Sequence, residues 1–231
     1  MTMSYPVASP QLLVGRVPGE LVSATLEVGE AAGQLVEITH TGSAPLPANS
    51  NEVALASGVL GVGDAAPDAV LIDQASRRRA FSEWKGTVTL LTFIYTRCPL
   101  PNFCPLMDQN FATIAHALEL EAALRGRVQL VSVSFDPDHD TPEVLAQHAA
   151  HLRADPSVWT FLTADRVTVD RFAGQFGVGV LRPPDASGQI THNLRTILIG
   201  ADGRIVQIYS GSDWTPGRVL ADLRTALGPR R

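Results

Sequence analysis

The sequence predicts an α/β fold, a mixed β-sheet flanked by helices and preceded by a small β-rich N-terminal segment. From residue 63 onward, apolar strand-like runs alternate with amphipathic helical patterns, the order that places helices on the faces of a largely parallel sheet. A hairpin signal at Ala201-Asp202-Gly203 adds an antiparallel pair. Two cysteines among 231 residues exclude a disulfide framework as the basis of the fold.

Three parts follow one another along the chain. Residues 1–16 contain two prolines and no periodicity, which predicts a flexible tail. Residues 17–62 alternate weakly over 20–28 and 34–39 and predict a small β-rich segment, with a proline- and asparagine-rich loop over 42–51. Residues 63–228 carry the whole α/β pattern.

The elements of the third part each have a local signature. The run 87–95 is almost entirely apolar or threonine, which is typical of a strand buried on both faces. Shorter strands are predicted over 69–72, 128–135, 159–162, 194–199 and 204–209. The arginines at 77–79 are interpreted as a solvated turn before a helical turn over 81–85.

Four longer helices are predicted between these strands. The helix over 105–125 has an apolar face and a stop at Gly126. Thr141-Pro142-Glu143 supplies a cap oxygen, a first-turn proline and an acid for the helix that runs to about residue 153. The others span 165–175 and 215–227. This order, with paired thiols after the first long strand, is that of a thioredoxin-like fold.

Composition limits the classes of function. The formal net charge of −5 gives no electrostatic support to nucleic-acid binding. No apolar stretch approaches the roughly 20 residues of a membrane-spanning helix. The first twenty residues show no signal-peptide pattern. We therefore expect no integral membrane segment, and the compartment stays open between the cytoplasm and an extracytoplasmic site.

The two cysteines lie where the first long strand gives way to the first long helix. Pro105 follows Cys104, and proline favours the first helical position, so Cys104 lies near a helix N-terminus, where the dipole lowers thiol pKa. Pro99 and Pro101 stiffen the intervening loop. Two thiols at such a junction suit disulfide exchange or binding of a soft metal.

A third donor is sought among six histidines. His116, His148 and His151 lie on helical patterns and are interpreted as solvated. His40 is in the β-rich segment, and His139 is in an acidic loop interpreted as the lead-in to a helix. His192 precedes the hairpin strand, and a thioredoxin-like topology places that loop beside the thiols, so His192 is the predicted nitrogen donor.

Several sequence blocks together resemble one family. They are Phe93-Ile-Tyr-Thr-Arg-Cys98-Pro, Cys104-Pro-Leu-Met107, the segment Ser132-Val-Ser-Phe-Asp136-Pro-Asp-His-Asp140-Thr-Pro-Glu-Val-Leu145, Trp159-Thr-Phe-Leu-Thr163, and His192 with Ile197-Leu-Ile-Gly-Ala-Asp-Gly203. Over residues 63–228 the chain resembles the Sco/SenC copper chaperones.

The resemblance implies a thioredoxin-like domain that binds Cu(I) or Cu(II) through Cys98, Cys104 and His192. It also implies a role in supplying copper to, or reducing, the CuA site of cytochrome c oxidase. The implied partner is an oxidase subunit or another copper or disulfide client protein, and the implied location is extracytoplasmic.

The chain departs from the family pattern in three ways. Five residues separate the thiols where the family usually has three, which enlarges the loop. Family members are usually anchored, and no anchor is visible. Some relatives have a small copper-binding domain where residues 17–62 lie, but that segment has no Met, Cys or Trp and only His40, which argues against a second metal site.

Two enzymatic alternatives remain. A thiol-disulfide oxidoreductase would use Cys98 and Cys104 as its redox pair, although such enzymes usually place a cis-proline where this chain has Thr191-His192. A thiol peroxidase of the peroxiredoxin type would need a threonine three residues before the reactive cysteine, where this chain has Tyr95.

Overall fold

The computed structural model describes residues 6–15, 20–28, 33–43, 59–182 and 189–228. Within them the strands are β1 (Glu20–Val28), β2 (Gly33–Ser43), β3 (Val70–Asp73), β4 (Arg78–Ala80), β5 (Val88–Ile94), β6 (Val128–Ser134), β7 (Trp159–Thr163), β8 (Val180–Leu181), β9 (Thr191–His192), β10 (Arg195–Ile199) and β11 (Ile205–Ser210). The α-helices are α1 (Cys104–Leu120), α2 (Pro142–His151), α3 (Arg166–Gln175) and α4 (Pro216–Leu227). Single 3₁₀ turns cover Pro10–Leu13 and Phe81–Trp84.

A seven-stranded mixed sheet forms the centre of the molecule, in the order β11-β10-β5-β6-β7-β3-β4. Strands β5, β6 and β7 are parallel, whereas β10 and β3 pair with them antiparallel. The predicted mixed sheet flanked by helices, with a small β-structure before it, is therefore confirmed. The thioredoxin-like assignment is confirmed with it.

Strand β5 is buried along its whole length because helices cover both of its faces. Successive side chains point to opposite faces. Thr92 contacts Thr196, whose hydroxyl lies 3.8 Å from the sulfur of Met107 on α1. On the other face, Phe93 packs against Phe172 and Phe176 at the end of α3. The strand therefore ends in a fixed position, and the first cysteine follows it.

The structure corrects some local predictions. The solvated-turn interpretation of the arginines is correct only in part: Arg77 and Arg78 are exposed, but Arg78 and Arg79 belong to β4. Arg77 and Arg79 also pair with the buried Asp73. Helix α1 ends at Leu120, five residues before the predicted end. His192 lies in the short strand β9, paired with Val180, and not in a loop.

The N-terminal part forms a hairpin in which β1 and β2 pair antiparallel. Within the predicted tail, Val7 bridges to Leu35 of β2, so the described residues there are ordered against the hairpin. The predicted loop over 42–51 lies outside the described residues after position 43. The division of the chain at residues 16 and 62 stays a prediction. No described helix has the length and apolar character required to cross a bilayer.

Candidate metal centre

Cys98 follows β5 and is held by a tight turn. Its backbone N–H donates to the carbonyl of Tyr95, and the buried side chain of Leu100 anchors the loop beyond it to the core. Phe103 closes the loop by donating its N–H to the Leu100 carbonyl. The five-residue loop between the cysteines is thus packed against the core through Leu100.

Cys104 is the first residue of α1, with Pro105 directly after it. This confirms the predicted position at a helix N-terminus. Its thiol points inward and is 1% exposed, and its sulfur lies 3.6 Å from Nε2 of His192.

The orientation of His192 is fixed by its neighbours. Its Nδ1 lies 3.1 Å from the carbonyl oxygen of Asn193, which can only accept, so Nδ1 carries the proton and Nε2 presents its lone pair toward the thiols. The rings of Tyr95, Phe103 and Phe135 surround the imidazole at centroid distances of 5.6, 5.9 and 4.7 Å. A histidine held in this way is preorganised as a nitrogen donor.

The three predicted donors meet in one buried cluster. The sulfurs of Cys98 and Cys104 and a ring nitrogen of His192 all lie within 4.8 Å of one another. Both cysteines are free thiols. Two sulfurs and an imidazole form a soft-to-intermediate donor set that suits copper.

The two thiols differ in acidity. Hydrogen bonding from the Cys104 thiol lowers the pKa of Cys98 to about 4, although burial opposes the fall. The lowered pKa predicted for Cys104 from its place at a helix N-terminus is wrong: burial raises the pKa of Cys104, as does the neighbouring Cys98. At neutral pH the pair therefore holds one thiolate and one thiol, a combination suited to metal binding or to nucleophilic attack by Cys98.

The acidic loop after β6 holds the thiol loop in place. Asp140 accepts hydrogen bonds from the backbone N–H of Thr96 at 3.0 Å and from the hydroxyls of Thr96 and Ser134 at 2.5 Å. Asp136 pairs with Arg97 at 2.7 Å. Thr141 caps α2 as predicted. The interpretation of this loop as only a helix lead-in is therefore incomplete, since its carboxylates also bind the residues before Cys98.

One predicted histidine environment is wrong. His148 was expected to be solvated, but its Nε2 lies 3.0 Å from Oδ2 of the buried Asp108. Sequence reasoning missed Asp108 altogether. The available signal was its position four residues after Cys104, on the inward face of α1. His116 and His151 are exposed, as predicted.

A cavity of about 90 Å³ adjoins the cluster. Its walls include His192, Tyr95, Phe103, Leu100 and, from strand β1, Leu26. The N-terminal hairpin therefore reaches the neighbourhood of the candidate metal centre.

A family model described as SCO1/SenC matches residues 63–228, most of the chain. The chain belongs to the SCO1/SenC family. A curated relative, the SCO1 protein homolog of Bacillus subtilis, is 28% identical over 159 residues, which is 67% of this chain and 78% of the relative.

Two further comparisons agree with the SCO1/SenC assignment. A protein of Stutzerimonas stutzeri named putative copper-binding protein is 27% identical and is matched over 67% of its length and 61% of this chain. The solved structure of a SCO1/SenC family lipoprotein from Bacillus anthracis superposes with a TM-score of 0.63 at 27% identity, covering 71% of this chain and 95% of that one.

Proposed function

We propose that this SCO1/SenC protein is a copper metallochaperone that carries copper on Cys98, Cys104 and His192. The observation that carries the proposal is the convergence of these three buried donors within 4.8 Å. Family membership, together with a relative named as copper-binding, supports copper as the cargo. The recipient is the CuA site of a cytochrome c oxidase, to which the protein supplies copper or which it keeps reduced.

The donor set accommodates both oxidation states of copper. Two thiolates suffice for Cu(I), which accepts low coordination numbers, whereas Cu(II) prefers an additional nitrogen donor. Nε2 of His192 can provide this nitrogen without moving the ring, because Nδ1 stays bonded to the Asn193 carbonyl. We therefore assign His192 chiefly to the Cu(II) state.

Cys98 is the donor best placed for exchange with a client. It is 8% exposed, whereas Cys104 and His192 are 1% and 3% exposed. A client protein would therefore reach the bound copper first at the loop that carries Cys98. The cavity beside His192 offers room for a side chain of the client at the same point.

A thiol-disulfide oxidoreductase remains the second candidate. The two sulfurs lie close together, and the lowered pKa of Cys98 favours it as the attacking thiolate. In this alternative Cys98 forms a mixed disulfide with the client and Cys104 resolves it. Reduction of the recipient's cysteines and delivery of copper can use the same pair in sequence.

Anaerobic titration of the reduced protein with Cu(I), against a competing chelator, tests the proposal. We expect the wild-type protein to bind one copper per chain. After Cys98→Ser or Cys104→Ser the protein should no longer take Cu(I) from the chelator, since serine is similar in size to cysteine but lacks the soft sulfur donor. His116→Ala, on the exposed face of α1, is the matched control and keeps full binding. If the wild-type protein binds no copper but reduces client disulfides, the chaperone proposal is wrong and the oxidoreductase becomes the favoured function.

A further inference from the structure

The nitrogen donor His192 lies on a strand that does not belong to the central sheet. Strand β9 contains two residues and, among the described strands, pairs only with β8. A short two-stranded hairpin has little stability of its own. The position of the His192 ring therefore depends on further contacts, and the residue that follows it, Asn193, is buried at 8% exposure.

The side-chain amide of Asn193 provides two such contacts. Its Oδ1 accepts the backbone N–H of Gly179 at 2.9 Å, and its Nδ2 donates to the carbonyl of Gly177 at 3.0 Å. Because an N–H can only donate and a carbonyl can only accept, these partners fix the orientation of the amide. The backbone carbonyl of the same residue accepts Nδ1 of His192 at 3.1 Å. Asn193 thus joins the imidazole to the segment that follows α3.

That segment is a well-defined helix end. The N–H of Gly177 donates to the carbonyl of Gly174, and the N–H of Val178 donates to that of Ala173, which are the two bonds of a Schellman motif. Gly177 has a φ of +74°, in the region that favours glycine. A Cβ at this position would lie 2.9 Å from Cγ1 of Val59. The Gly177 carbonyl is therefore fixed by the turn that ends α3.

We propose that Asn193 is a positioning residue for the copper ligand His192, because its amide fastens the strand of that histidine to the end of α3. The inference rests on the proposed function, in which His192 gives copper its nitrogen donor. Phe176, in the same turn, packs against Phe93 of β5, the strand that leads to Cys98. The two amide bonds therefore hold the imidazole and the first thiol in one framework, with Nε2 oriented before the metal arrives.

Competition titrations with Cu(II) and with Cu(I) test this role. Asn193→Ala removes both amide bonds but keeps the backbone carbonyl, so the ring is held less firmly. Loss of a residue that orients a metal ligand typically weakens metal affinity about 10- to 100-fold. We expect Asn193→Ala to weaken Cu(II) binding about tenfold and Cu(I) binding by less than about twofold, since two thiolates suffice for Cu(I). Equal Cu(II) affinities in Asn193→Ala and wild type overturn the inference, as does an equal loss for both ions.

A double-mutant cycle shows whether Asn193 acts through His192. His192→Ala removes the ring, so there is nothing left for the amide to position. We expect Asn193→Ala to cause no further loss of Cu(II) affinity when it is added to His192→Ala. Losses that multiply in the double variant indicate a general structural effect and overturn the inference.

The turn at the end of α3 provides an independent variant if Asn193→Ala does not fold. Gly177→Ala places a Cβ against Val59 at a positive φ, which shifts the carbonyl that Asn193 binds. We expect it to weaken Cu(II) binding and to spare Cu(I) binding. Gly174→Ala is the matched control, because it lies exposed in the same helix end with open space around its Cβ. Equal Cu(II) affinities in the two glycine variants overturn the inference.

A measurement without metal separates this inference from the proposed function. In the reduced, copper-free protein, nuclear Overhauser contacts between the rings of His192 and Phe135 report the orientation of the imidazole, since their centroids lie 4.7 Å apart. We expect Asn193→Ala to weaken these contacts and Gly174→Ala to preserve them. Unchanged contacts in Asn193→Ala overturn the positioning role. If the wild-type protein binds no copper and Asn193→Ala still loosens the ring, the proposed function is wrong and the positioning of the imidazole by Asn193 stands.

Discussion

Two clusters of potential metal ligands lie at the same end of the sheet, and they differ in how far their donor atoms are already engaged in hydrogen bonds. Cys98, Cys104 and His192 form one, and Asp136, His139 and Asp140 form the other; in each, one ligand atom per residue lies within 4.8 Å of the rest. In the first, two sulfurs and a ring nitrogen face one another. In the second, the carboxylate oxygens already accept several strong hydrogen bonds.

The difference shows that proximity of donors does not define a metal site. Both oxygens of Asp140 accept bonds, from Thr96 and from Ser134 and His139, and those of Asp136 face the guanidinium of Arg97. Copper bound there would have to displace these bonds from buried groups. The acidic cluster therefore holds the thiol loop, and the thiol cluster is the one we propose as the metal site.

Replacement of His192 should give the largest effect on Cu(II). We expect His192→Ala to weaken Cu(II) binding by at least about a hundredfold. Loss of a residue that only orients a metal ligand already weakens metal affinity by up to about a hundredfold, and His192 is proposed as a ligand itself. Most Cu(I) binding should persist on the two thiolates. Electron paramagnetic resonance should lose the nitrogen hyperfine signal, and mass spectrometry should still show the internal disulfide.

An unchanged nitrogen signal in His192→Ala would mean that another residue supplies the donor. Loss of the signal in the acidic cluster's His139→Ala would then identify that residue. If neither variant changes the spectrum, the two cysteines are the only metal ligands at the site, and the oxidoreductase becomes the favoured function.

Asp140→Asn should affect stability instead of metal content. The carboxylate is fully buried, and the amide would turn an N–H₂ group toward donors that now bind oxygen. We expect a loss of about 3 kcal/mol in the free energy of unfolding, measured by urea denaturation. The folded fraction should still bind one Cu(I) per chain. A variant of normal stability that binds no copper would place Asp140 in the metal site.

The sequence predicted the thiol cluster because its signals are local. Cys104 precedes a helix-starting proline, and Cys98 follows an apolar strand. The prediction of His192 required one inference from topology, namely that the chain returns beside β5. The acidic cluster's second role was missed because Asp140 and Thr96 are 44 residues apart, and a motif that caps its own helix gives no sign of a distant partner.

The Asp108–His148 pair was missed for the same physical reason. Its members belong to different helices, 40 residues apart, and each has an ordinary interpretation within its own helix. The contribution of Leu26 to the cavity beside His192 is equally non-local. It bears on the predicted division of the chain at residue 62, since a chain shortened to that boundary would lose one wall of the cavity.

The acidity of Cys98 gives a pH test of the thiol cluster. The lowered pKa, about 4 against 9.0, means that the folded protein holds this thiolate where the unfolded chain is protonated. The resulting stabilisation is fully present above pH 9 and is lost as pH falls through about 4. We expect the rate of Cys98 alkylation by iodoacetamide to change little between pH 8 and 5. A rate that falls tenfold per pH unit over this range would contradict the lowered pKa.

The smallest effect should come from His139, although it belongs to the acidic cluster. Its ring is 44% exposed, and its Nδ1 lies 2.9 Å from Oδ1 of Asp140, an oxygen that Thr96 also binds. Asp140 therefore keeps its buried partners when the ring is removed. We expect His139→Ala to change the free energy of unfolding by no more than about 0.5 kcal/mol, as for other exposed positions. Copper stoichiometry and the Cu(II) nitrogen signal should match those of wild type, because the ring nitrogens of His192 are untouched. A weakened Cu(II) site in His139→Ala would show that the acidic cluster binds metal and that its hydrogen bonds rearrange to allow it.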